Sequence, residues 1–524
     1  MNYAATTLCA LFLALGPTTF AQPGSLDASF DGDGKVTTDF GSMNAQGASV
    51  AIRPDGKLVV VGTVTNNSLF AFGAVGYNVD GSLDTDFGTN GKVATNMGLN
   101  NASVYAVAVQ SDGKIIMAGG AYIGSTYVFA LARYNPDGTL DTSFGTDGKV
   151  TTAVGSGGPA EVGSLAIQSD GKIIAAGGAY EDVSQIVSGV FALVRYNPDG
   201  TLDTDFGVDG RSTTEFGYNF ARIRSVAIQP DGKIVAVGVS HWSPTFDIAL
   251  ARYNVDGSLD NSFSDDGKLT TDLGYDQGNG NSVVIQPDGK ILLAGSIGSG
   301  SASDFVLIRY NTDGTPDTEF GTDGHITSDI EGGFDDTGNS VILQPDGKVL
   351  LAGTSYNAAS TDFALVRYNA DGTPDPDLGS VGIVITDFNG FDDMANSSAL
   401  QPDGNIIVAG YANDGTDYAF AVARYLSGLN VGIIDLSVAN DNALIYPNPI
   451  GMHATLEYTL QHAERISIHL LDMQGRTVHT FIEGQEQASG YHQQRIELPE
   501  ALPSGTYLIA ISSPKGRLTV QVVK

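Results

Sequence analysis

The chain has 524 residues, 67 of them glycine, and 59 acidic against 26 basic residues leave a formal net charge of -33. A hydrophobic share of 42% is ample for a folded core and excludes wholesale disorder. So negative a chain is excluded from binding nucleic acid or an anionic membrane by general attraction, and its length exceeds one ordinary core unless the architecture repeats.

The N-terminus reads as an address. Leu8 to Leu15 (LCALFLAL) is an apolar run too short to span a bilayer, and Thr19-Phe20-Ala21 before Gln22 has the small-x-small form of a signal-peptidase site. Residues 1–21 are therefore expected to be a signal peptide. The sole cysteine, Cys9, lies inside it, so the mature protein is expected to have no disulfide, thiol nucleophile or thiolate metal site. No later stretch is long and apolar enough to cross a membrane.

Three landmarks then recur in phase. A turn of the form x-(Pro/Ser)-Asp-Gly-Lys has its Asp at Asp55, Asp112, Asp170, Asp231, Asp288, Asp346 and Asp403, at spacings of 57, 58, 61, 57, 58 and 57 residues. Arg-Tyr-Asn-x-Asp-Gly recurs at Tyr77, Tyr134, Tyr196, Tyr253, Tyr310, Tyr368 and, as Arg-Tyr alone, Tyr425; Gly76 replaces the first Arg. A drifting Leu/Pro-Asp-x-x-Phe-Gly-x-Asp-Gly begins at Leu26 and ends its series at Pro374. Each unit reads as four short strands. In the fourth, Ser225 to Gln229 and Lys233 to Gly238 flank Pro230-Asp231-Gly232, where Pro presets the first turn dihedral and Gly supplies the left-handed one. The third strand is Asp247 to Tyr253 and the fourth Lys268 to Asp272. Hairpin strands apolar on both faces suit a sheet packed between two others.

Seven such units over residues 25–428 predict an all-β, seven-bladed β-propeller. The chain enters on a fourth strand (Lys35 to Phe40) and leaves after a third (Phe420 to Tyr425). The first strand is thus expected to complete the last blade and close the ring. The QPDGK-type hairpins and the stretch from Ala132 to Val150 (ARYNPDGTLDTSFGTDGKV) resemble the delta-60-type repeats of secreted bacterial propellers. That resemblance implies fold and export, and no reaction.

Past Tyr425 the period stops. Residues 429–442 read as a linker, and 443–524 hold five of the seven histidines. Short alternating strands there predict a small antiparallel, Ig-like β-sandwich. Its landmarks are Tyr446-Pro447-Asn448-Pro449, Leu471-Asp472-Met473-Gln474-Gly475-Arg476 and Leu502-Pro503-Ser504-Gly505-Thr506-Tyr507. They resemble the type A C-terminal sorting domain of the type IX secretion system. This implies a Bacteroidetes-type source, the type IX machinery as a partner, and a protein secreted or attached to the outer surface. An ordinary carbohydrate-binding module is the other reading of such a tail.

Functional residues are sought where the copies differ. The Pro-Asp-Gly turns and Asn-x-Asp-Gly connections repeat, whereas the opposite loops vary within the chain, as Gly238 to Phe246 against Gly295 to Ser303. Tyr122, Tyr127, Tyr180, Tyr218, Phe220, Tyr356 and Tyr411 fall on that varied face. Trp242, Tyr275, Phe334 and Phe391, also there, are the candidate ligand contacts, for stacking on sugar or protein; covering the rim of the core is the alternative. Gly274-Tyr275-Asp276, Gly333-Phe334-Asp335-Asp336 and Gly390-Phe391-Asp392-Asp393 share a pattern. Asp276, Asp335, Asp336, Asp392 and Asp393 are thus candidate calcium ligands, against solvated turn carboxylates. Ser29 to Gly34 opens like an EF-hand loop, but Phe40 stands where a Glu is needed, so turn capping is expected. The arginines at 133, 195, 252, 309, 367 and 424 are expected to link blades. His241 and His325 cannot easily cluster, and no Gly-rich loop opens a helix.

The expectation is a monomeric, non-catalytic binding scaffold for an extracellular glycan or protein, with no cofactor unless calcium. The alternatives are a polysaccharide hydrolase or lyase, which would need a perturbed carboxylate or tyrosine in the channel mouth, and a calcium-stabilised surface protein.

Overall fold

The computed structural model describes residues 22–428, apart from 42–43, 67–68, 99–100, 157, 184–185, 218–219, 243 and 301. In the C-terminal region it describes 444–446, 453–460, 463–471, 477–499, 502, 505–513 and 516–523. The expected signal peptide at 1–21 and linker at 429–442 lie outside these residues.

Every described strand before Leu426 belongs to one of seven four-stranded antiparallel blades. Blade 4 is typical, with strands Phe220–Ile228, Ile234–Trp242, Thr245–Tyr253 and Lys268–Thr271 in that order. Blade 7 takes three strands from Asp393–Leu400, Ile406–Asn413 and Tyr418–Tyr425. Its fourth is Lys35–Thr38, paired Lys35 to Ala423 and Thr38 to Phe420. The chain's two ends thus close the ring, as the phase of the repeats requires.

Alternation across the second strands explains their unbroken apolar runs. In blade 4, Ile234 and Ala236 pack toward blade 3 while Val235 and Val237 pack toward blade 5, all four fully buried. Every first strand carries one extra, unpaired residue: Ala48, Tyr105, Gly163, Arg224, Asn281, Asn339 and Asn396. A bulge bends a strand and brings its backbone toward its neighbour. The neighbour is always a glycine in the second strand. A methyl group on Gly62, Gly119, Gly177, Gly238, Gly295, Gly353 or Gly410 would stand 1.7–2.0 Å from a first-strand carbonyl oxygen. Only glycine admits the bulge.

Blades are tied at the opposite face by buried ion networks. Asp260 accepts from Arg252 at 2.7 Å and from Lys233 at 2.8 Å, and Arg252 reaches on to the Thr312 carbonyl of blade 5 and lies over Phe263. The same ion set recurs around Asp141, Asp203, Asp317 and Asp375, with the arginine over a phenylalanine at the first three and Leu378 in that place at the last. Where Gly76 replaces the arginine, Arg53 of the neighbouring hairpin bonds Asp84 at 3.1 Å instead. Each network depends on an ionised aspartate. Burial alone would raise the carboxyl of Asp141; hydrogen bonds from Ser143 and Lys114 and the charge of Arg133 outweigh it and hold the group well below its usual range. The landmark tyrosines reach back the other way, as Tyr253 donates to Thr214 of blade 3 at 2.8 Å. Tyr77 does the same to Thr38, across the closure.

The tail is a sandwich of two sheets. One orders Leu444–Tyr446, His453–Leu460 and Gly490–Glu497; the other orders Thr477–Gln487, Glu464–Leu471, Thr506–Ser513 and Gly516–Val523. Leu456, Ile466, Ile468, Ile496 and Ile509 fill the space between them, each fully buried. Pro447 to Pro449, Asp472 to Arg476 and Pro503-Ser504 lie outside the described residues.

Two outcomes follow. Gly238→Ala should cost about 2–3 kcal/mol or more in urea unfolding, because the clash is with backbone. Gly98→Ala, whose added carbon would meet only Ile123 at 3.5 Å, should stay within about 0.5 kcal/mol. Acid should also unfold the ring. The five network aspartates have folded pKa values below their unfolded one. Their contribution is complete above about pH 4 and is lost as pH falls through the lowered values. Urea midpoints should therefore drop steeply below about pH 4, and a flat profile there would contradict the assignment.

Candidate functional site

The seven bulged residues meet at the mouth of the central channel. All of them line one cavity of about 710 Å³. Its two halves differ in chemistry because the bulge residues differ. On the side of blades 5 to 7, Asn281, Asn339 and Asn396 each donate an amide N–H to a carbonyl of the next blade, Gly338, Ala395 and Gly47, at 2.7–2.9 Å. That half is a fixed polar rim.

The opposite half holds charge and aromatic surface. Tyr105, Tyr127, Glu161, Tyr180, Phe220, Arg222 and Arg224 line it. Glycines make room for two of them: Gly120 lies under the Glu161 side chain and Gly178 under Arg222, where an added methyl group would sit 2.9 and 2.8 Å from the respective side-chain carbon. Tyr180 and Phe220 face each other at 6.4 Å between ring centroids. The Nε of Arg224 is buried without a hydrogen-bond partner. Burial, with Arg222 adding like charge, brings the Arg224 guanidinium down to about 10, so it remains a cation at neutral pH. Partial burial raises the Glu161 carboxyl, opposed by Arg222, and partial burial with the Glu161 charge raises the Tyr105 phenol. Two guanidinium groups against one carboxylate make this mouth locally basic in a strongly acidic protein. A second cavity of about 340 Å³ adjoins it, sharing Arg224, Asn281 and Asn339 and adding Gln277, Asn279, Ser303, Asp335 and Thr337.

The residues singled out in the loops lie elsewhere. Tyr275 packs on the apolar core between blades 4 and 5, Phe334 meets Tyr356 edge-on at 5.6 Å, and Phe391 is 46% exposed over Gly415. None of these three lines the central cavity. Trp242 falls in a strand, and its side chain lies outside the described ones. Tyr127, Tyr180, Phe220 and Tyr411, on the same varied face, do reach the cavity wall.

The candidate calcium ligands divide in two. Asp335 takes the Ser303 hydroxyl at 3.3 Å, Asp392 takes the Thr361 backbone N–H at 3.1 Å, and Asp276 is tied by its backbone. Asp336 and Asp393 instead enter carboxylate clusters whose other members come from the preceding blade. Asp304, Asp329 and Asp336 form one, and Asp362, Asp387 and Asp393 the other; each residue brings an oxygen within 4.8 Å of the other two. The register Phe305 to Ser328 and Phe363 to Thr386 sets Asp304 beside Asp329 and Asp362 beside Asp387, one step further along. Burial pushes Asp336 and Asp362 up to about 6 and Asp393 up to about 7, and the neighbouring carboxylates add to each shift.

The Asp-rich connections serve the backbone. Asp33 accepts the Lys35 N–H at 2.9 Å in the EF-hand-like segment, and Asp31 there takes a left-handed φ of 48°.

Comparison with known proteins agrees with this architecture. The family described as domain of unknown function (DUF5122) beta-propeller matches at 53–87, 110–144, 168–206, 229–263, 286–320, 344–377 and 401–430. Each of the seven blades thus carries one DUF5122 beta-propeller repeat. Residues 444–524 match the secretion system C-terminal sorting domain, so this is a propeller exported by type IX secretion, released or held at the outer cell surface. The type IX machinery is its partner in export. No helix among the described residues is long and apolar enough to cross a membrane.

No curated protein matches the chain. Among solved structures, the PQQ-bound aldose sugar dehydrogenase of Streptomyces coelicolor is 11% identical over 77% of this chain and 100% of that one, at a TM-score of 0.33. Sqt1 of Chaetomium thermophilum is 12% identical over 74% and 97%, at 0.34. The polysaccharide lyase Uly1 is 11% identical over 75% and 90%, at 0.32.

Proposed function

We propose that this exported propeller is a non-catalytic binding protein whose channel mouth takes an acidic extracellular glycan. The observation that carries this reading is the cavity's pairing of Arg222 and Arg224, the latter with an unpartnered buried Nε, with Tyr105, Tyr127, Tyr180 and Phe220. A guanidinium matches a uronate carboxylate or sulfate in fork geometry, and aromatic faces match the apolar faces of pyranose rings. The adjoining amide and hydroxyl surface suits the remaining sugar hydroxyls. The overall charge of -33 repels such a ligand at long range, but screening over about 8 Å in physiological salt leaves the local guanidinium groups in control.

Cleavage is the second reading, favoured by the raised Glu161 carboxyl and Tyr105 phenol beside Arg222. Either group could give a proton to a leaving glycosidic oxygen. Hydrolysis by paired acids requires a second carboxylate nearby, and Glu161 is the only one in the cavity wall among the described residues. Binding is therefore the better-supported reading.

Calorimetric titration of the full chain with uronate-bearing and neutral oligosaccharides, with released reducing ends assayed in each sample, tests both. Binding without products is expected. Arg224→Ala should weaken it about tenfold or more, the worth of a charged hydrogen bond of about 1.5–3 kcal/mol. Equal affinity for neutral sugars, or indifference to Arg222→Ala and Arg224→Ala, would contradict the reading; product release would favour the second.

The pH profile follows from Glu161. Its carboxyl, raised by burial, protonates at a higher pH than an exposed glutamate, which frees Arg222 from the one carboxylate in the cavity wall among the described residues. Affinity should thus rise as pH falls through the raised pKa. Glu161→Gln should bind more tightly at neutral pH and flatten the profile, and an unchanged profile would contradict this role.

A further inference from the structure

We propose that the junctions of blades 5 and 6 and of blades 6 and 7 each bind one calcium ion, through Asp304, Asp329 and Asp336 at the first and Asp362, Asp387 and Asp393 at the second. This inference is independent of the glycan reading.

The chain treats its buried carboxylates in two ways. Ten aspartates are buried among the described residues. Seven of them, Asp27, Asp84, Asp141, Asp203, Asp260, Asp317 and Asp375, each pair with an arginine at 2.6–3.1 Å. The other three are Asp336, Asp362 and Asp393, and no salt bridge among the described residues reaches them. Each is instead grouped with two further carboxylates within 4.8 Å. A buried carboxylate without a cation is costly, and a second beside it more so.

A second observation concerns the oxygens themselves. Asp393 is 0% exposed and Asp336 1%, and Oδ1 of each is buried without a hydrogen bond of normal geometry, although Ser355 eases the charge of Asp336 and the Asn413 backbone N–H that of Asp393. Their other oxygens are occupied, Asp336 Oδ2 by the Ile330 N–H and Asp393 Oδ2 by the Phe388 N–H, both at 2.7 Å. The backbone therefore fixes both carboxylates and leaves one oxygen of each for another ligand. Lys35 is the nearest cation to the second cluster that the hydrogen bonds reveal, and it bonds the Asp387 backbone carbonyl.

The donor chemistry selects the ion. Both clusters offer oxygen alone, without imidazole or thiolate, which suits a hard cation. Calcium accepts about six to eight oxygens in irregular geometry, whereas magnesium demands a near-ideal octahedron and keeps its waters. Three carboxylates, mono- or bidentate, with carbonyls or water completing the shell, fit calcium. The junction of blades 4 and 5 supplies an internal control. Its equivalent positions are Asp247, Asp272 and Gly278, which lies opposite Ile297 as Asp336 lies opposite Ser355, so the third carboxylate is absent and no site is expected there.

The test is calcium titration of the chelator-treated full chain by calorimetry at neutral pH, with thermal melting in parallel. Two ions per chain are expected, with a melting temperature several degrees higher in calcium and magnesium much weaker. Asp336→Asn and Asp393→Asn should each reduce the stoichiometry to one. Should either fail to fold, the exposed Asp329→Asn and Asp387→Asn should each weaken one site about tenfold or more, and Gly278→Asp should add a third ion. Absence of calcium binding at millimolar concentration would overturn the proposal. So would a stoichiometry that none of these substitutions changes.

Discussion

The contact between a second-strand glycine and the bulged first strand is the constraint on which this molecule turns. Seven glycines accept a carbonyl oxygen closer than any β-carbon would allow, and seven first strands are thereby free to carry one residue more than their partners. The extra residue cannot pair in the sheet. It faces the channel, and the channel mouth acquires its chemistry from whatever side chain stands there. The scaffold is uniform, and the ring of seven residues it presents is not.

Two treatments of buried charge divide the ring. On the face of the repeated turns, each buried aspartate is held by a guanidinium, and at all but Asp84 that guanidinium also reaches the next blade, so ion pairing and blade-to-blade contact are one device. Breaking such a pair would strand a buried charge, which makes the arrangement demanding as well as stabilising. Arg53 substituting for the missing arginine at Gly76 shows how strictly the need is met. On the opposite face, Asp336, Asp362 and Asp393 have no such partner. The basic pair Arg222 and Arg224 lies at the same face, on other blades, so acidic and basic sites are separated around one ring.

Much of the architecture was legible in the sequence. Asp55 through Asp403 and Tyr77 through Tyr425 give the blade count, and the out-of-phase ends give the closure, since pairing must complete the last sheet. The linking role of the arginines followed from their sixfold recurrence. The proposed ligand surface was less legible because attention to the loops favours Trp242, Tyr275, Phe334 and Phe391, whose variation is visible. Variation also occurs inside the first strands, at Ala48, Tyr105, Gly163, Arg224, Asn281, Asn339 and Asn396, but a bulge breaks the period-two alternation that would announce it. The signal that could have found it is the small residue followed by glycine in every second strand, from Val61-Gly62 to Ala409-Gly410. Asp336 and Asp393 were visible as candidates, but their companions were not. Asp304, Asp329 and Asp336 come from three elements of two blades, and register alone brings them together.

The bulge ring, and not the set of loop aromatics, is the proposed ligand-binding surface. A crystal structure of the chain with an acidic oligosaccharide tests it most directly. The account predicts density in the channel mouth, with a carboxylate or sulfate within hydrogen-bond distance of Arg222 or Arg224 and a sugar ring against Tyr180 or Phe220. A ligand seated instead on Phe334 or Phe391, with the mouth unchanged, would contradict it.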